Sequence, residues 1–382
     1  MALIRTVAQA IRDEPRPSGF DYMRFVLAFL VVFSHVLNIS FGQHAADRFV
    51  STPFRPLQTF ILPMFFCLSG FLVSGSLARS RTSISFFGLR IIRLFPALAV
   101  ESILAALFLG PIFTTLPLAE YLAHPLFRSY FWNMLGDPQY YLPGVFQSLP
   151  LPVVNGQLWA LPWELTCYGS LAALALLRLL RDRRSILRVA VILTFALAVA
   201  GWAGHAPDRP FLARVALLEC FLFGALAFFY GDRIPLRRRW FAASSLLACL
   251  LFLSPYGDYF IAAPMAYATI YLGLMNPRQN RLISSGDYSY GIYLYGFPIQ
   301  QAVTAVIGPS PWYLDLAVAV PFILAASVLS WWCVEKPAQK LRRCLTKVED
   351  LWLNSRLNPM PTHDNAVPGM EHRHQAILSL PA

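Results

Sequence analysis

The chain has 382 residues, of which 57% are hydrophobic and 13% charged, with a formal net charge of +11. A soluble globular domain carries roughly a quarter charged residues, and here the deficit runs along the whole sequence. That excludes an ordinary soluble enzyme. It also argues against a nucleic-acid binder, because the basic residues fall in short clusters between apolar runs, as in loops that face an anionic membrane leaflet.

The N-terminal stretch MALIRTVAQAIRDEPRPSGF lacks a continuous apolar core and does not read as a signal peptide. Beyond it, apolar spans are predicted at 21–41, 57–77, 86–109, 158–179, 187–204, 211–230, 240–255, 259–275, 288–307 and 312–333. Each is near the length of about 20 residues that crosses a bilayer. The N-terminus and the even-numbered connections carry the basic clusters: Arg5, Arg12 and Arg16; Arg79 and Arg81; Arg178 to Arg188; Arg233 and Arg237 to Arg239; Arg278 and Arg281. The odd-numbered connections hold only Arg48, Arg55, Arg128 and Arg209. Positive residues favour the cytoplasmic side. The prediction is an all-α integral membrane bundle of about ten transmembrane helices with both termini inside.

Three regions follow from this. Residues 1–20 form a cytoplasmic segment, 21–345 the membrane domain, and 346–382 a cytoplasmic, disordered tail. The connection 110–157 is long and aromatic and is expected to pack over the outer face. The six cysteines form no CxxC pair, and no metal constellation is visible.

Ionisable residues inside spans are costly and mark function by default. Arg24 and His35 share the first span, eleven residues or about three turns apart, hence on one face and roughly 16 Å apart along the axis. Arg90 and Arg93 lie one turn apart at the start of the third span. They read either as inside anchors or, with Arg24, as a clamp for phosphate groups. Glu164 lies early in a span entering from outside, at a depth similar to that of His35. A His and a carboxylate at one level can form an acid–base pair; the competing reading is a structural pairing with an Arg or Tyr. Glu101 and Glu219 are expected to be structural.

Six segments, in order, resemble the membrane-bound acyltransferase 3 family of bacterial polysaccharide and glycoside O-acyltransferases. They are FDYMRFVLAFLVVFSHV, PMFFCLSGFLVSGSL, FFGLRIIRLFPAL with its Arg-x-x-Arg, QLWALPWELTCY, GDYSYGIYLYGFPIQ and the closing CVEKPAQKL. There are departures. Leu165 and Thr166 replace a common Glu-Gln after Glu164, Gly296 stands where a His is frequent, and no hydrolase-like domain is expected after the last span. The resemblance implies an acyl-CoA co-substrate, acetyl by default, with no permanently bound cofactor and no metal. It implies a carbohydrate or glycolipid acceptor and a place in the bacterial inner membrane. His35 would be the base or the acyl carrier and Glu164 its partner. Arg24, Arg90 and Arg93 would hold the donor, and Ser69, Trp159, Tyr290 and Tyr293 would line the cavity. A glycolipid flippase without acyl transfer is the alternative.

Overall fold

A computed structural model describes residues 5–180, 182–203, 209–254, 256–308 and 310–357. Among these the chain is helical, with two isolated β-bridges and no named strand. A short helix, Val7–Asp13, opens it. Thr6 and Gln9 close a reciprocal capping box at its start, satisfying two backbone donors that a helix end would otherwise leave open.

Eleven longer helices follow among the described residues: α1 (Gly19–Phe41), α2 (Ile61–Arg79), α3 (Ser83–Leu104), α4 (Leu161–Leu176), α5 (Arg183–Trp202), α6 (Arg209–Phe229), α7 (Arg238–Phe252), α8 (Ala262–Gly273), α9 (Ser289–Ile307), α10 (Trp312–Ser330) and α11 (Arg342–Leu357). A helix occupies each of the ten predicted stretches. Among the described residues, five continuous stretches, Gly19–Phe41, Pro56–Arg79, Ser83–Phe113, Arg183–Trp202 and Trp312–Leu351, are long and apolar enough to cross a bilayer. α8 has 12 residues, about 18 Å at 1.5 Å per residue, so it falls short of roughly 30 Å of hydrocarbon.

Between helices in lipid there is little hydrophobic drive, and close association depends on small residues that let backbones meet. α2 and α6 use this device. A Cβ placed on Gly70 would lie 1.9 Å from the Phe221 carbonyl oxygen, and one on Gly224 would lie 2.1 Å from that of Cys67. α1, α9 and α10 form a second group, with Ala28, Val32, Ile292, Ala319 and Ile323 at its centre. Gly296 faces α1, where a Cβ would lie 2.7 Å from a Val32 methyl. The histidine expected by family resemblance has no room there.

The connection 110–157 has its own small core. Tyr121, Tyr130, Leu142, Phe146 and Val154 pack on Ala105 and Ala106 at the end of α3. The Gln301 amide of α9 donates to the Leu151 and Val153 carbonyls at 2.7 and 2.6 Å. Glu101 is taken up beneath it by the Asn155 amide at 3.0 Å, and Glu219 accepts from Thr194.

One expectation is corrected. Residues 346–357 are not a disordered tail but belong to α11, which packs along α3. Thr82 Oγ1 donates to the buried Glu349 at 2.7 Å, Arg81 pairs with Asp350 at 2.8 Å, and Leu345 covers Gly88. The sequence signal was hidden because α11 is polar overall; its helicity depends on the surface it meets. Residues 358–382, including His363, His372 and His374, lie outside the described residues.

Candidate active site

A cavity of ≈ 490 Å³ runs between α1, α2, α3, α4 and α9. Along α2 Phe66, Leu68 and Val73 flank a central row of lining residues, Leu62, Phe65, Ser69, Leu72, Ser76 and Arg79. These recur every three or four positions, so one complete face of α2 is exposed to the cavity. Seventeen residues at 1.5 Å each make it roughly 25 Å long. Its character changes along that length. At one end are Leu62 and Phe65; at the other are Arg79, Ser80, Ser85 and Arg342. Ser69 and Gly70 thus divide two tasks within one motif, the serine facing the cavity and the glycine the α6 backbone.

Arg24, Arg90, Arg93 and Glu164 all line this space, together with Ser69, Tyr290 and Tyr293. Both tyrosine hydroxyls are tied to backbone carbonyls. Tyr290 donates to the Leu94 carbonyl at 2.9 Å and Tyr293 to that of Gln157 at 2.6 Å. Trp159, expected in the cavity, does not line it; the Arg214 guanidinium lies 5.5 Å from its ring centroid.

Asp287, at the entry to α9, organises two of the arginines and was missed by the sequence reading. Its Oδ2 accepts from Arg93 at 2.8 Å and from Arg24 at 3.3 Å, while Ser289 donates to Oδ1 at 2.5 Å. Burial pushes this carboxyl up, but the guanidiniums of Arg93 and Arg24 outweigh it and hold the group well below the usual carboxylate range. The available signal was an acidic residue directly before the Ser-Tyr motif. Its value depended on knowing that α1, α3 and α9 converge.

Arg90 is held differently. It donates to the Phe86 carbonyl at 3.0 Å, and its guanidinium lies 4.2 Å from the Phe86 ring centroid and 5.6 Å from that of Tyr168. Glu164 accepts from Tyr168. This carboxylate belongs to the arginine end of the site, and no contact joins it to His35 among the described residues.

His35 does not line the cavity; it stands one turn beyond Val31, the last α1 residue of the lining, on the same face as Arg24. Its ring meets Phe297 edge-on at 5.1 Å and makes no hydrogen bond among the described residues. Ser34 donates to the Val31 carbonyl at 2.7 Å and is turned back onto its own helix.

A helical membrane protein whose internal cavity is cationic at one end and apolar at the other suits an amphiphilic anion that must be held and then attacked. Residues 18–335 match the family model described as an acyltransferase domain. The chain belongs to the membrane-bound acyltransferase 3 family and is an acyltransferase. It is 31% identical over 334 residues to an "O-acetyl transferase" of Shigella phage Sf6, covering 83% of this chain and 94% of that one. It is also 31% identical over 362 residues to "Nodulation protein 10" of Rhizobium leguminosarum bv. viciae, covering 86% and 95% respectively. No solved structure matches it significantly.

Proposed function

We propose that this protein is an O-acetyltransferase of the bacterial inner membrane that moves an acetyl group from acetyl-CoA to a sugar hydroxyl of a surface polysaccharide or other glycoside. The observation that carries the reading is the graded cavity, with guanidiniums at one end and Leu62 and Phe65 at the other. A thioester with a phosphorylated nucleotide head and a neutral arm has the same polarity. In the proposed topology the ten helical stretches cross, α8 together with the residues that flank it, and both termini lie inside, so the arginine end opens to the cytoplasm, where acyl-CoA resides.

The head would sit among the arginines, through charge-assisted hydrogen bonds. The arm would run along α2 past Ser69, Tyr290 and Tyr293. The thioester would reach the level of His35, three turns from Arg24 on α1. As the acceptor oxygen forms its bond to the acyl carbon, its proton passes to His35; the carbon–sulfur bond breaks and the leaving thiolate is protonated. The imidazole is available for this, being hydrogen-bonded to no group among the described residues. Glu164, in contact with Tyr168, would shape the donor end and not orient the base. The relative named "O-acetyl transferase" supports the acetyl group as the cargo.

The test is mass spectrometry of surface polysaccharides and small glycosides from cells with the protein, without it, and with His35→Ala. Loss of a general base removes roughly 10²–10⁴-fold of rate, so the acetyl-ester mass should appear only with the wild-type chain. Ester formation at wild-type level in His35→Ala removes the imidazole from the chemistry.

A further inference from the structure

Five arginines line the cavity: Arg24, Arg79, Arg90, Arg93 and Arg342. They are not equivalent. Arg24 and Arg93 already share the Asp287 carboxylate. Arg79, Arg90 and Arg342 form no ion pair among the described residues. Arg90 in addition has a buried Nε without an acceptor, while its ring stacking fixes its direction. Beside these guanidiniums the lining offers one further carboxylate, Glu164, which is too little to offset them, and an anion with several acceptor oxygens relieves their repulsion.

Arg342 owes its place to the turn that ends the bundle. After α10 the chain passes through a π-turn, Trp331–Glu335, in which Ser330 donates to the buried Glu335 at 2.9 Å and Lys336 lies 3.5 Å from the Trp332 ring centroid. This brings the first residue of α11 to the cavity mouth. The helix is then clasped to α3 by Glu349 on Thr82, the residue that caps the α3 N-terminus, and by Asp350 on Arg81. The clasp does not touch Arg342, which leaves its charge directed at the opening alongside Arg79.

We infer that α11 is a wall of the donor site and that Arg342, with Arg79 and Arg90, grips the phosphates of the nucleotide head, while Arg24 and Arg93 are committed to Asp287 as structure. The inference rests on the acyl-CoA reading above. It adds a helix from the C-terminal segment to the binding machinery and divides the arginines between two tasks.

The experiment uses the full chain in lipid nanodiscs, with acetyl-CoA as donor and adenosine 3′,5′-bisphosphate as a probe of the head alone. Arg342→Gln should raise the donor KM about tenfold with kcat nearly unchanged, and should weaken inhibition by the bisphosphate by a similar factor, the scale for one charge-assisted contact. Arg343→Gln, the neighbour on α11 that does not line the cavity, should leave both constants unchanged. Arg342→Lys, which keeps the charge, should recover part of the loss and guards against misreading a folding defect. An unchanged KM and inhibition constant in Arg342→Gln would overturn the inference while the donor reading stands. A wild-type chain that neither uses acetyl-CoA nor responds to the bisphosphate overturns both.

Discussion

Asp287→Asn is the most informative single change near the site. The amide keeps the shape and can still accept from Ser289, but it removes the charge shared by Arg93 at 2.8 Å and Arg24 at 3.3 Å. A hydrogen bond to a charged group contributes about 1.5–3 kcal/mol, and removing one member of a buried pair costs about 3–5 kcal/mol. The three side chains are 27%, 38% and 21% exposed for Asp287, Arg93 and Arg24, so solvent screens part of this. We expect about 2–3 kcal/mol in all, less than for a fully buried pair. Large domains shift by about 2–4 °C per kcal/mol, which places the melting temperature in detergent lower by about 5 °C. Because the folded carboxyl is held below its unfolded value, its stabilisation is complete above about pH 4 and is lost as pH falls through the folded value. The gap between wild type and variant should therefore stay flat from pH 5 to pH 8. A double-mutant cycle with Arg93→Gln should show at least 1 kcal/mol of coupling. Additive effects, or a gap that shrinks steadily between pH 5 and pH 8, would refute the shared-carboxylate account.

Other outcomes follow from the same geometry. Gly70→Ala forces a Cβ to 1.9 Å from the Phe221 carbonyl oxygen, so α2 and α6 must part; overpacking of about 3 kcal/mol or more should appear as lost folded protein on size-exclusion chromatography. Gly169→Ala, with nothing within 4 Å of the added carbon, should be neutral or slightly stabilising by the same measurement. Glu164→Gln keeps an acceptor for Tyr168 but removes a negative charge beside Arg90 and Arg93. It should leave the melting temperature within a few degrees and change the donor KM more than kcat; a pure kcat effect would point to a direct role in the chemistry.

The sequence by itself determined the class of molecule and the positions of the helical stretches, because length, apolar runs and clustered arginines are local properties. Arg24, His35, Arg90, Arg93 and Glu164 were legible as candidates for the same reason: a charge within an apolar run stands out wherever the run lies. Which of them meet was decided by tertiary structure. Glu164 and His35 share a nominal depth, yet depth along an axis says nothing about rotation or about which neighbour arrives first, and Tyr168, one turn away on the same helix, took the carboxylate. Trp159 sits in the same segment as Glu164 but on a face turned to Arg214. Asp287 and Arg342 look like ordinary loop and tail residues until α9 and α11 are brought against α1 and α3. Their roles come from partners 194 residues away for Asp287 and Arg93, and, for α11, 267 residues away between Glu349 and Thr82. No periodicity within one helix encodes a contact between helices so far apart in the chain; only the packed bundle, which decides which charges must neutralise one another, does that.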